Sequence, residues 1–253
     1  MHTAALTEAG LAAGWDYEAI DVTRAEFKAL VRSLPERGFA GVNVTVPHKL
    51  AALAVADTAS SAARDIGAAN TLTFVEGRIH ADNTDASAIA AALPLSPKGK
   101  KALVLGAGGS ARAAVWALRE AGASVNVWNR TRTKAEAIAA EFGVGLDVEG
   151  PLIIVNATTV GLVAANGGQP LDGSGEPDLK AMPVFTDGFK AEVVLDLVYG
   201  SRETELIASA REAGAAVVDG LEVLVRQGAA SFRIWTGSDP SLETMRRAAR
   251  GDP

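Results

Sequence analysis

The sequence predicts an α/β protein, with a doubly wound parallel sheet in its second half and a separate α/β region before it. Three observations carry this. From Lys101 onward, short apolar strand patterns alternate with helical ones. The first of these strands runs straight into Gly106-Ala107-Gly108-Gly109. The stretch Leu93 to Lys100 is rich in turn residues and reads as a domain boundary. Strands that are apolar throughout, rather than alternating, belong in parallel sheets covered on both faces by helices.

Each element follows from local pattern. Thr3 to Ala13 reads as a helix and Tyr17 to Val22 as an extended strand. Thr23-Arg24-Ala25-Glu26 has capping-box spacing and opens an amphipathic stretch to Leu34. Gly41 to Val46 is β-branched and is stopped by Pro47, a residue suited to the first turn of a helix. Asn70 to Val75 and Arg78 to Asn83 flank Glu76-Gly77, a hairpin signal. Ala86 to Leu93 is helical. In the second half the strands are Lys101–Leu105, Ser124–Trp128, Leu152–Val155, Val193–Val198 and Ala215–Val218. The helices between them are Ser110–Ala121, Lys134–Phe142 and Glu203–Ala213. Residues 163–181 read as a glycine-rich loop. The closing helices, Leu221–Trp235 and Leu242–Arg250, have no strand partners and are expected to return to the first domain.

Composition narrows the class. The chain has 253 residues, room for one large domain or two ordinary ones. With 48% hydrophobic and 21% charged residues, it is not a disordered chain. It has no cysteine, which excludes a disulfide scaffold, a thiolate metal site and a cysteine nucleophile. A net charge of −6 weighs against binding a polyanion such as nucleic acid. No apolar run reaches the roughly 18–20 residues that span a bilayer, and Met1 to Ala5 do not open a secretory signal. The three histidines, His2, His48 and His80, lack paired ligand spacing, so no metal is expected. Composition thus leaves a folded cytoplasmic protein, monomer or homodimer, with no nucleic acid or membrane partner expected.

Gly106-Ala107-Gly108-Gly109-Ser110-Ala111 fits G-x-G-x-x-A between a strand and a helix. Gly106 permits the tight turn, Gly108 lets a pyrophosphate approach the backbone, and the helix N-terminus attracts negative charge. A site for NAD would place an acid at the end of the next strand, on the ribose 2′-hydroxyl. That strand instead ends Trp128-Asn129-Arg130-Thr131, with Arg132 and Lys134 close behind. A guanidinium can fork onto a 2′-phosphate, so Arg130 indicates NADP, whereas Arg132 reads as a solvated charge.

In the first half, four polar residues are uninformative one at a time. Lys49 reads as a surface charge at a helix start, Asn70 as a turn residue, Asp85 as an N-cap and Gln227 as a solvated helix residue. Their surroundings change this. Asn43-Val44-Thr45-Val46-Pro47-His48-Lys49, Ala69-Asn70-Thr71-Leu72 and Asp82-Asn83-Thr84-Asp85 resemble shikimate dehydrogenases in order and spacing. So do Gly106-Ala107-Gly108-Gly109, Asn129-Arg130-Thr131, Asn156-Ala157-Thr158-Thr159-Val160-Gly161, and Asp219-Gly220-Leu221 leading to Gln227-Gly228-Ala229.

The resemblance runs from about residue 2 to Gly237. It implies residues 1–85 and 220–253 as a substrate domain, with 86–219 as an inserted Rossmann-type NADP domain. It implies NADP-dependent, reversible reduction of 3-dehydroshikimate to shikimate, with Lys49 and Asp85 as the catalytic pair. It places Thr45, Asn70, Asp85, Tyr199 and Gln227 around the substrate hydroxyls. The implied cofactor contacts are Gly106, Ala107, Gly108, Gly109, Ser110, Asn129, Arg130, Thr131, Lys134, Asn156, Ala157, Thr158, Leu197 and Gly220. A free lysine has a pKa of about 10.4. Lys49 therefore acts either as a base whose pKa is depressed or as a fixed charge that polarises oxygen.

The sequence departs from the family in places. The family's N-terminal strand and Ser-x-Ser-Pro loop, which grips the substrate carboxylate, have no counterpart ahead of His2. Either Met1 is an internal methionine of a longer natural protein, which is the favoured reading, or this form is shortened and impaired. Glu222-Val223 stands where Gly-Met is common, and Lys134 where a second arginine is common. Quinate/shikimate dehydrogenases and a non-catalytic ligand-binding relative are the alternative readings.

Overall fold

In the computed structural model, residues 1–160, 190–200 and 203–251 are described. The glycine-rich loop read at 163–181 lies outside them. The chain forms two compact units, Met1–Ala88 with Glu222–Pro253, and Ile89–Leu221.

The first unit contains α1 (His2–Glu8), α2 (Phe27–Ser33), β1 (Gly41–Asn43), α3 (Lys49–Val55), β2 (Thr58–Ala59), α4 (Ser61–Ile66), β3 (Thr71–Val75) and β4 (Arg78–Asp82). Its sheet has the order β1-β3-β4-β2. The β3–β4 hairpin turns at Glu76 and Gly77, with φ of 50° and 73°. Two successive left-handed residues are what a two-residue primed turn requires, and glycine takes the second without steric cost. Phe27 and Val31 of α2 and Ala52 and Val55 of α3 pack on Leu72, Ile79 and Ala81. Burying these side chains contributes roughly 1.5–3 kcal/mol for each of the larger ones.

Two helices complete this unit, the later part of α9 (Gly220–Thr236) and α10 (Leu242–Arg250). Val225, Phe232 and Met245 form a second core with Ala5 and Leu6 of α1. Glu222 on α9 receives Arg246 of α10 in a fork, Nε at 2.7 Å and Nη2 at 3.0 Å. Arg226 adds a third contact to Glu222 at 2.7 Å. The arginine hydrogen bonds hold the Glu222 carboxyl below the usual range.

The second unit carries the parallel sheet. Its elements are β5 (Lys101–Leu105), α6 (Gly109–Glu120), β6 (Ser124–Trp128), α7 (Arg132–Phe142), β7 (Ile153–Asn156), β8 (Val193–Asp196), α8 (Glu205–Glu212) and β9 (Ala216–Val218). The strand order is β6-β5-β7-β8-β9, every pair parallel. β7 and β8 are buried along their whole length, as their apolar patterns require. From β5 the chain goes to β6 on one side and then returns to β7 on the other. This topological switch point leaves a crevice at the carboxyl ends of β5 and β7. The connecting helix α5 (Asp85–Ala92) begins in the first unit.

The structure corrects several readings. Residues 17–22 form no strand, and among the described residues no ladder reaches them. An extended segment becomes a strand only where its backbone groups find a partner. The Thr23–Glu26 contacts form, with Thr23 Oγ1 donating to Glu26 at 2.6 Å, but they close a turn and α2 begins only at Phe27. β1 ends at Asn43, because the chain leaves the sheet before Pro47. Pro47 itself sits in a turn, and α3 starts two residues later.

Candidate functional site

In the first unit, Lys49 opens α3 and Asp85 opens α5. Lys49 Nζ donates to Asp85 Oδ2 at 2.6 Å, and the two side chains are only 13% and 8% exposed. Screening by water is therefore weak between these charges, and the pair is held much more firmly than a surface ion pair. The expected surface lysine is thus not on the surface. Asp85 is not the N-cap either: Asn83 Oδ1 accepts from Ala86 N at 3.2 Å, which leaves the Asp85 carboxylate for Lys49.

Asn70 fixes the other side of the carboxylate. Its Nδ2 lies 3.0 Å from Asp85 Oδ1, 3.1 Å from Gln227 Oε1 and 2.9 Å from Thr84 Oγ1. Its Oδ1 accepts from Thr84 N at 2.7 Å, which sets the orientation of the amide. The backbone anchors Asn70 as well, its N–H donating to Asp82 O and its carbonyl accepting from Val44 N. Gln227 is therefore engaged rather than solvated, with Nε2 donating to Leu224 O at 2.9 Å.

Four of the substrate-side candidates, Lys49, Asn70, Asp85 and Gln227, are thus one connected cluster. Thr45 is exposed in the turn that leads to α3, its carbonyl accepting from His48 N. Tyr199 belongs to the second unit and is 41% exposed. Thr84 was not singled out by sequence; its one signal there is its place between Asn83 and Asp85, and the structure buries it. His48 stacks on Phe27 at 4.6 Å and reaches Val22 O, so its partners differ from those of Lys49.

In the second unit, every cofactor-side candidate lies at or just beyond the carboxyl end of a parallel strand. Gly106 to Gly108 join β5 to α6, which Gly109 and Ser110 open. Gly106 has φ of 116°, and a Cβ there would stand 2.7 Å from Ala157 O, so only glycine fits. At Gly108 a Cβ would meet nothing within 4 Å, which leaves open space beside the backbone. Asn129, Arg130 and Thr131 follow β6, and Lys134 lies in the first turn of α7. Arg130, Thr131 and Lys134 are exposed, and Arg130 has no ion pair among the described residues. Arg132 instead pairs with Glu136 one turn on, at 2.9 Å. Asn156 ends β7, Ala157 and Thr158 follow it, and Leu197 follows β8. Gly220 opens α9 so closely that a Cβ would lie 2.7 Å from Leu197 O. Among the described residues, no His/Cys/Asp/Glu group could hold a metal ion, and no helix is long and apolar enough to cross a membrane.

A glycine-rich turn at the switch point of a parallel sheet, joined to a second α/β unit with a buried lysine–aspartate pair, defines a two-domain dinucleotide-binding protein of the dehydrogenase type. Family models agree. The shikimate dehydrogenase substrate binding domain matches residues 1–72, shikimate / quinate 5-dehydrogenase residues 88–150, and the shikimate 5′-dehydrogenase C-terminal domain residues 220–250. A shikimate dehydrogenase (NADP(+)) of Thermus thermophilus is 44% identical, the match covering 99% of this chain and 91% of the relative. That of Roseobacter denitrificans is 39% identical over 92% of this chain and 86% of the relative. A crystal structure of the Thermus thermophilus enzyme in complex with NADP(H) and shikimate superposes with a TM-score of 0.84, at 40% identity, covering 99% of this chain and 92% of that one. The chain belongs to the shikimate dehydrogenase family.

Proposed function

We propose that the protein interconverts shikimate and 3-dehydroshikimate with NADP(H), the first unit binding the substrate and the second the cofactor. The observation that carries this is the Lys49–Asp85 pair, buried and tied through Asn70 to Gln227. The named activity of the relatives and the contents of the Thermus thermophilus structure support it.

The second unit suits NADP. The open space at Gly108 admits a pyrophosphate to the backbone, and α6, of 12 residues, presents its N-terminus there. Gly106, Ala107, Gly108, Gly109 and Ser110 would hold the pyrophosphate. Asn129, Arg130, Thr131 and Lys134 would hold the adenosine ribose and its 2′-phosphate. Asn156, Ala157, Thr158, Leu197 and Gly220 would line the nicotinamide side. Bound NADP supplies the hydride acceptor for the carbon whose hydroxyl is oxidised.

The protein's own groups manage charge and proton. Lys49 Nζ, pinned by Asp85, polarises the substrate oxygen. In the reducing direction it gives a proton to the developing alkoxide, and in the oxidising direction the hydroxyl proton leaves through the same pair. Asn70, Gln227 and Thr45 of the first unit bind the remaining hydroxyls, since each offers neutral donors and acceptors. The test is a matrix of assays on the purified protein, with shikimate or quinate as substrate and NADP+ or NAD+ as acceptor. Turnover of shikimate with NADP+ at the highest kcat/KM is the expected outcome. Preference for quinate or for NAD+ replaces the proposal with the broader enzyme, and no turnover in any arm removes it.

A further inference from the structure

β7 and β8 end side by side on Asn156 and Asp196, which are register partners. Asp196 is fully buried, in a strand that is otherwise apolar. Nothing in the proposed proton path uses it, yet a buried carboxylate is costly unless its oxygens are satisfied. Here they are. Oδ1 accepts from Asn156 Nδ2 at 2.8 Å and from Val198 N at 3.0 Å. Oδ2 accepts from Thr204 Oγ1 at 2.5 Å.

The consequence lies one residue further out. Because Asn156 Nδ2 is committed to Asp196, its amide cannot flip. Asn156 Oδ1 must face outward, where it accepts from Thr158 N at 3.1 Å and Thr158 Oγ1 at 2.8 Å. Thr158 Oγ1 in turn accepts from Val160 N at 3.2 Å. Between these anchors Ala157 runs against Gly106, its N–H donating to Leu105 O at 2.8 Å. One side of the segment 156–158 is therefore set by the glycine-rich turn and the other by Asp196.

We propose that Asp196 is a positioning residue for the cofactor site: by holding the Asn156 amide it fixes the segment Asn156–Thr158 at the crevice, with Thr204 locking the carboxylate from behind. This rests on the reading that the second unit binds NADP(H). Asp196 touches neither substrate nor cofactor in this role. Burial raises its pKa and its hydrogen bonds lower it, the former prevailing. An asparagine in its place has one acceptor oxygen for three donors. With its oxygen toward Asn156 it loses the charge behind that hydrogen bond and Thr204 must turn from donor to acceptor; with its NH2 toward Asn156 Nδ2, donor meets donor and the Asn156 orientation is released.

The test uses the full chain carrying Asp196→Asn, with steady-state kinetics, NADPH titration by fluorescence and thermal unfolding. A lost charge-assisted hydrogen bond corresponds to about a tenfold or larger change. KM for NADP+ and Kd for NADPH should rise by about that factor together, while KM for shikimate stays within about twofold. A merely structural role would move both Michaelis constants or neither, and either result overturns the proposal. If Asp196→Asn does not fold, Thr204→Val removes one donor to the carboxylate from the helix side. It should show the same split in smaller measure, and an equal effect on both substrates would again overturn it. NADPH binding by the unsubstituted protein separates the two ideas. If it binds and Asp196→Asn binds equally well, only the positioning role fails. If it does not bind, the cofactor reading fails as well.

Discussion

The strongest consequence of the buried pair is that Lys49 and Asp85 should behave as one unit. The two side chains are about nine-tenths buried and 2.6 Å apart, so removing either one leaves the other a buried charge without its counter-ion. Proton transfer by a positioned group contributes typically about 10²–10⁴-fold to rate. Lys49→Met and Asp85→Asn should each lower kcat by an amount in that range. Two independent groups would multiply their effects, so the double variant would lose about 10⁴–10⁸-fold. A coupled pair cannot be lost twice, and the double variant should fall within about tenfold of the worse single one. The cycle then gives a coupling energy of at least about 1.4 kcal/mol, one factor of ten. The assay is the initial rate of NADP+ reduction at saturating shikimate, with unfolding midpoints measured on the same preparations. Multiplying losses would refute the coupling, and near-normal kcat in Lys49→Met would refute the role of the lysine.

Three further outcomes are expected. Arg130→Ala should raise KM for NADPH far more than for NADH, by about 10–150-fold for a charge-assisted contact of roughly 1.5–3 kcal/mol; equal changes would show that Arg130 does not read the 2′-phosphate. Glu222→Gln should lower stability at neutral pH by about 1.5 kcal/mol, since it breaks the Arg246 fork between α9 and α10. Because the Glu222 carboxyl is depressed in the folded state, this contribution is present above the usual glutamate pKa and disappears as pH falls through the lower folded value. Melting curves of the two proteins should therefore converge in acid. His2 is lowered to about 4, first by burial and then by the amino-terminal charge, so the unfolded chain takes up the proton more readily. Stability should fall as pH drops from about 6.5 to about 4 and His2→Gln should flatten that slope, measurable by denaturant titration across the range.

How much the sequence revealed differs between the units for a physical reason. In the second unit the information is local. Each strand is a short apolar run, each turn carries its own glycine or polar signal, and Gly106 is demanded by the approach of Ala157. The positions of β5 to β9 were therefore readable within one or two residues. In the first unit the site depends on residues far apart in the chain. Asn70 and Gln227 are separated by 157 positions, and no spacing rule joins them. Read alone, Lys49 was a surface charge and Gln227 a solvated helix residue, and both readings failed because burial is a tertiary property. Only the resemblance brought them together. The extended reading of Tyr17–Val22 failed similarly, since no strand lies beside it among the described residues. Asp196 carried a signal that was passed over, an acid within a strand whose other residues are all apolar.

The central claim is hydride transfer from shikimate to NADP+ under the control of the Lys49–Asp85 pair. Shikimate deuterated at C3, the carbon bearing the oxidised hydroxyl, tests it most directly when incubated with the purified protein and NADP+ and followed by mass spectrometry of both products. The account requires 3-dehydroshikimate without the label and NADPH with one deuterium, both lost together in Lys49→Met. Unlabelled NADPH, or labelled NADPH formed undiminished by the Lys49→Met variant, would contradict it.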